Sequence, residues 1–160
     1  MGLFDFFKRN KKGNSNQSQK TTNQSSKSKF DDASLEDSEL LAKVAEFIKT
    51  QIQQNKDRTE ITRRVQKHFG TNLKQAEILV EKRLESYLRW GSFELNRNSL
   101  DGAKGLLSAA LHLDPNSKIA LGNLGVLYSK FEDYNQSLIY YEKAATLYPD
   151  DIQIQENLAS

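Results

Sequence analysis

Residues 121–149, LGNLGVLYSKFEDYNQSLIYYEKAATLYP, repeat the spacing of residues 87–115, YLRWGSFELNRNSLDGAKGLLSAALHLDP. An offset of 34 residues places Gly91 on Gly125, Ala103 on Ser137, Ala110 on Ala144, Leu113 on Leu147 and Pro115 on Pro149. Each copy reads as two helices. Small residues at Gly91, Ala103, Gly125 and Ser137 let two antiparallel helices approach closely, while Leu107 and Tyr141 are expected to fill the space between units. Pro115 and Pro149 lack the N–H that a helix interior requires, so each ends its unit. Coincidences this numerous at one offset predict a stacked helical repeat rather than an irregular bundle.

The second copy reads Leu121-x2-Leu124-Gly125-x2-Tyr128 and then Ser137-x3-Tyr141-x2-Ala144-x4-Pro149. This resembles the tetratricopeptide (TPR) pattern, W-x2-L-G-x2-Y followed by A-x3-F-x2-A-x4-P. The first copy fits at Tyr87, Trp90, Gly91, Ala103, Leu107, Ala110 and Pro115, and departs at Glu94, where the pattern has Tyr. The resemblance covers residues 84–151 and implies an all-α chain built on a short TPR-type helical solenoid. It also implies a groove, lined by the first helix of each unit, that binds a peptide or a partner protein. Arg89, Ser92 and Asn96 share one helical face, and Asn123, Val126 and Lys130 repeat that set one unit later. Their amide, hydroxyl and cationic groups suit an extended backbone or an acidic terminus. Of the carboxylate clamp that some TPR domains offer to chaperone termini, only Asn123 is present; Leu88, Ser92, Gln153 and Asn157 stand at the other places. Further on, Gln155, Leu158 and Ala159 fall in register with Leu121, Leu124 and Gly125, which starts a third unit. Its edge is expected to be completed by another chain, a second copy included, or by further repeats.

Working upstream, residues 35–83 read as a helical cap on the repeat domain of residues 84–160. Leu41, Val44, Ile48 and Ile52 line a helix over 37–54. Asp57 and Glu60 have capping-box spacing ahead of Ile61, Val65 and Phe69, and Gly70 closes that helix. Thr71 is the expected cap of a third, long helix whose stripe runs Leu73, Ala76, Val80, Leu84, Tyr87 and Gly91. Ile61 to Leu79 has a faint helix-turn-helix outline with Arg63, Arg64, Lys67 and Lys74 beside it. A reader of base edges needs polar or basic groups at the start of its second helix, and this helix continues into the acidic-leaning repeat body, so nucleic acid is not the expected partner.

Of 23 basic and 21 acidic residues, seven basic and one acidic fall within residues 1–30, leaving 16 basic against 20 acidic beyond them. Residues 13–34 are a polar linker without a core-forming run, expected to be disordered. Within residues 1–12, Leu3, Phe4, Phe6 and Phe7 share one helical side and Lys8 and Arg9 follow, the outline of a short membrane-surface helix. Burying four such side chains is worth at most about 6–12 kcal/mol, most of which is cancelled by ordering roughly eight residues at about 1–2 kcal/mol each. Phe6 stands where an N-myristoylation signal has Ser or Thr. The full-length protein is therefore expected to sediment weakly with anionic vesicles at low salt and to release as salt rises. Replacing Phe4, Phe6 and Phe7 by Ser should abolish this; binding that survives the replacement is only that of a flexible polycation.

With no cysteine, and with only His68 and His112 for imidazole chemistry, no thiolate site, metal-ligand spacing or catalytic triad is visible, and no cofactor is expected. Both histidines read as structural. No apolar run reaches the roughly 20 residues of a spanning helix. The expected protein is a non-enzymatic, cytoplasmic adaptor or assembly factor. The competing reading is a peripheral membrane protein whose repeats serve oligomerisation.

Overall fold

The computed structural model describes residues 37–159, and among them the chain forms seven helices and no strand. They are α1 (Ser38–Gln53), α2 (Arg58–Phe69), α3 (Leu73–Asn96), α4 (Leu100–Leu113), α5 (Lys118–Lys130), α6 (Tyr134–Leu147) and α7 (Ile152–Ala159). The fold is all-α. The segments expected over 1–12 and 13–34, with Leu3, Phe4, Phe6, Phe7, Lys8 and Arg9, lie outside the described residues. No helix among the described residues is long and apolar enough to cross a membrane.

Local chemistry sets the helix starts. The Asp37 carboxylate accepts from the amides of Glu39 and Leu40, and Asp57 accepts from that of Glu60, so each answers donors that a first helical turn leaves unpaired. Gly70, at φ 67°, closes α2 in the left-handed region. The expected cap at Thr71 is corrected by one residue. Asn72 caps α3 in a complete capping box, accepting from the Gln75 amide while the Gln75 side chain accepts from Asn72 N–H, and Thr71 is buried behind it. Leu73, expected on the buried stripe, is 54% exposed, while Gln75 and Ala76 of the same turn are buried.

From Leu73 to Asn96 helix α3 is unbroken, so the cap region and the first unit share it. One apolar core gathers Val44 and Ile48 of α1, Ile61 and Val65 of α2, the first half of α3, and Leu113 of α4. A second core joins Leu95, Ala103 and Leu107 to Leu124 and Leu127 of α5, and a third joins Leu121, Ala144 and Ile154. Successive helices pack on one another: α3 on α4, α4 on α5, α5 on α6 and α6 on α7.

The 34-residue offset recurs in the backbone. The αα turns pass through the left-handed region at Asn98 (φ 62°) and Glu132 (φ 60°). Behind them Ser99 N–H donates to Glu94 O, and Asp133 N–H to Tyr128 O, each at 2.9 Å. At the other turns Asp114 N–H donates to Ala110 O and Tyr148 N–H to Ala144 O, each at 2.8 Å. The close approach expected at the two glycines is present. A Cβ on Gly91 would come within 2.8 Å of the Leu107 side chain, and one on Gly125 would collide with the Tyr141 ring. Leu107 and Tyr141 thus fill the space inside each unit, against the glycine sixteen residues earlier, and Leu107 reaches the next unit as well.

Candidate functional site

α3 and α5 stand side by side and carry the six residues expected to line a groove. Ser92 Oγ donates to Leu88 O at 2.8 Å and accepts from Asn123 Nδ2 at 2.7 Å, which ties the two helices across the face. Lys130 Nζ lies 3.4 Å from Asn98 Oδ1, in the turn after α3. Arg89 and Asn96 are exposed, with the Arg89 guanidinium 5.9 Å from the centroid of the Trp90 ring. Val126 is half-buried and leans on the second core, so of the six it is the one given partly to packing. The structure therefore brings Ser92 and Asn123 into contact, and sets Arg89, Asn96 and Lys130 around them as exposed hydrogen-bond donors and acceptors.

Next to this polar face lie two aromatic residues that sequence reasoning left out of the site. Trp90 and Phe93 are 48% and 44% exposed and meet edge to face at 5.4 Å, with the Arg97 guanidinium 5.5 Å from the Phe93 ring. Their counterparts one unit later, Leu124 and Leu127, are fully buried. The difference is positional. α5 presents Leu124 and Leu127 to Leu95, Ala103 and Leu107 of the preceding unit. Among the described residues no repeat precedes α3, and the first half of α1 lies beside Leu79, Arg83 and Ser86. The signal available in the sequence was that Trp90 occupies an apolar pattern position in the first copy, where a preceding unit need not exist.

The two arginines of the helix-turn-helix outline are engaged at home. Arg63 Nε and Arg64 Nε bind the Glu60 carboxylate at 2.8 and 2.6 Å, and Arg64 also donates to Gln51 Oε1 at 2.8 Å. Hydrogen bonds from Arg63 and Arg64 hold Glu60 well below its ordinary 4.5, at about 2. A depressed carboxylate stabilises the folded state above its unfolded value, and that contribution is lost as pH falls through the folded one. The melting temperature of Glu60→Gln should therefore lie below that of the parent at neutral pH and converge with it as pH falls from 4.5 toward about 2. A gap independent of pH would show that the carboxylate is unpaired in solution.

His68 stacks on Phe47 at 4.5 Å, and His112 Nε2 lies 2.6 Å from Lys56 O, so each imidazole is placed by packing or by backbone. Among the described residues no group of three or more His, Asp or Glu is placed to hold a metal ion. Compared with known proteins, the chain matches no family model and no curated protein.

Proposed function

We propose that this chain is a TPR-type, non-enzymatic interaction module that binds a peptide or a partner protein on the joined face of α3 and α5. The observation that carries this reading is the Ser92–Asn123 bond, which sets two register-related helix faces side by side with Arg89, Asn96 and Lys130 exposed around it. The recurrence of turns, backbone hydrogen bonds and glycine contacts at one 34-residue offset supports stacked units of this kind. An extended partner would use its carbonyls and any terminal carboxylate against the guanidinium, ammonium and amide donors.

The test uses the full chain as bait. A partner is captured, identified by mass spectrometry and purified, and its affinity is measured for the parent and for Arg89→Ala/Asn123→Ala/Lys130→Ala. The triple variant should lose about 2–4 kcal/mol of binding, roughly 30- to 1,000-fold in Kd. Its circular dichroism and melting should stay near those of the parent. Undiminished affinity would remove the face from the mechanism.

A further inference from the structure

Helices α1, α3 and α4 leave a cleft of about 760 Å³ between them, within the size range of small-molecule sites. Ile52 of α1, Arg83 and Tyr87 of α3, and Gly105, Leu106 and Ala109 of α4 line it. Nothing lies within 4 Å of the place a Cβ would take on Gly105, so a bound molecule can approach the α4 backbone closely. Two donors on α3 lack a partner here. The Arg83 guanidinium lies 4.1 Å from the centroid of the Tyr87 ring, and among the described residues no carboxylate pairs with it, although the side chain is half-buried. Its Nε, and the hydroxyl of Tyr87, a residue only 4% exposed, are buried without a hydrogen-bond partner. Buried polar groups are nearly always paired, so two orphans at one cleft point to an acceptor that the chain does not itself supply. Beside a guanidinium the fitting acceptor is an anion.

The other charged groups of the lining are already engaged or stand apart. Lys49 Nζ lies 3.3 Å from the Glu46 carboxylate, and His112 Nε2 lies 2.6 Å from Lys56 O. Asp101, the one carboxylate of the lining, is eleven residues before His112, about 16 Å away along α4. α4 runs antiparallel to α3 with Leu107 against Gly91, so Arg83 and Tyr87 stand toward the His112 end, away from Asp101. The cleft therefore has a cationic end, and from there Ala109, Leu106 and Gly105 extend an apolar floor.

We infer that this cleft binds a small amphiphilic carboxylate. Its head accepts from Arg83 and from the Tyr87 hydroxyl once the Arg83 side chain turns from the ring, and its apolar body lies along Ala109, Leu106 and Gly105. The site does not depend on the proposed interaction face, because Tyr87 stands about 160–180° around α3 from Arg89 and Asn96.

The probe is dansylaminoundecanoate, whose dansyl group accepts energy from Trp90, the sole tryptophan, about one turn beyond Tyr87 on α3. The full chain should bind one equivalent saturably, and decanoate should displace it where acetate does not. Arg83→Met and Gly105→Leu should each weaken binding about tenfold or more, and Tyr87→Phe about three- to tenfold. Circular dichroism and melting accompany each variant. Gly105→Leu grows into the cleft from a position that meets nothing, so it carries the test even where loss of the Arg83–Tyr87 contact costs stability. Lys143→Met, which removes an exposed cation on α6, should leave the affinity unchanged. The methyl ester of the probe, lacking the charge, should bind about tenfold more weakly or worse. Absence of saturable binding would overturn the inference. So would equal affinity in the parent, Arg83→Met and Gly105→Leu, which places the probe on another surface such as the exposed Trp90–Phe93 pair. Equal binding of the ester, or displacement by acetate as effective as by decanoate, would overturn it too, by removing the head or the body from recognition.

Discussion

Gly125→Val is expected to lower the melting temperature sharply, because the new side chain must occupy space already filled by the Tyr141 ring. Tyr141 is itself buried and cannot swing clear without opening the α5–α6 pair. Overpacking of this kind costs about 1–3 kcal/mol, and for a domain of this size each kcal/mol moves the midpoint by roughly 2–8 °C. Glycines with open space at the Cβ position give the opposite sign. Around Gly105 in α4 and Gly122 in α5 nothing lies within 4 Å of the site a Cβ would take. Replacing either by Ala should stabilise by about 0.5–1 kcal/mol, since glycine has the larger backbone entropy to lose in a helix. Thermal melts of the three variants decide the matter; a Gly125→Val protein that melts with the parent would mean that the two helices do not approach as described.

A second large effect separates two residues that the repeat pattern treats as equivalent. Leu127→Gln places an amide in the fully buried second core, losing the leucine packing and stranding polar atoms away from water. The truncation and the unsatisfied group together should cost about 3–6 kcal/mol, a large part of a typical domain's stability. Phe93→Gln, 34 residues earlier, changes a ring that is 44% exposed and should cost only about 1 kcal/mol. Urea unfolding of the two variants measures the difference directly. Equal losses would mean that Phe93 is covered in solution by something as complete as a preceding repeat.

How much of this was legible beforehand follows from which interactions are local. Gly91, Gly125 and the two prolines act on their own helix pair, so their spacing was enough to place the hairpins. The caps at Asp37 and Asp57 and the stop at Gly70 are likewise set within a few residues. Asn72 displaced Thr71 because both have capping side chains, and only the reciprocal bond from Gln75 distinguishes them. The polar face was readable as a register but not as a geometry: nothing in the spacing says that Ser92 meets Asn123, which lies 31 positions later rather than 34. Trp90 and Phe93 escaped because exposure depends on what precedes a unit, and that is a property of the assembled chain. Val126 was read as groove-lining for the converse reason, since its half-burial against the second core is likewise set by the assembled chain.

Helix α3 is 24 residues long, about 36 Å, and its two halves belong to different cores. A break between cap and repeats would let each melt on its own schedule. An unbroken helix denies them that freedom. Loosening α1 and α2 strips the supports from the first half of α3, and the helical hydrogen bonds carry the loss into the half that holds Gly91 and Leu95. The cap therefore contributes to the cooperativity of the whole array, so that damage at residues 44–65 is felt as softening of the α3–α5 face some tens of residues away.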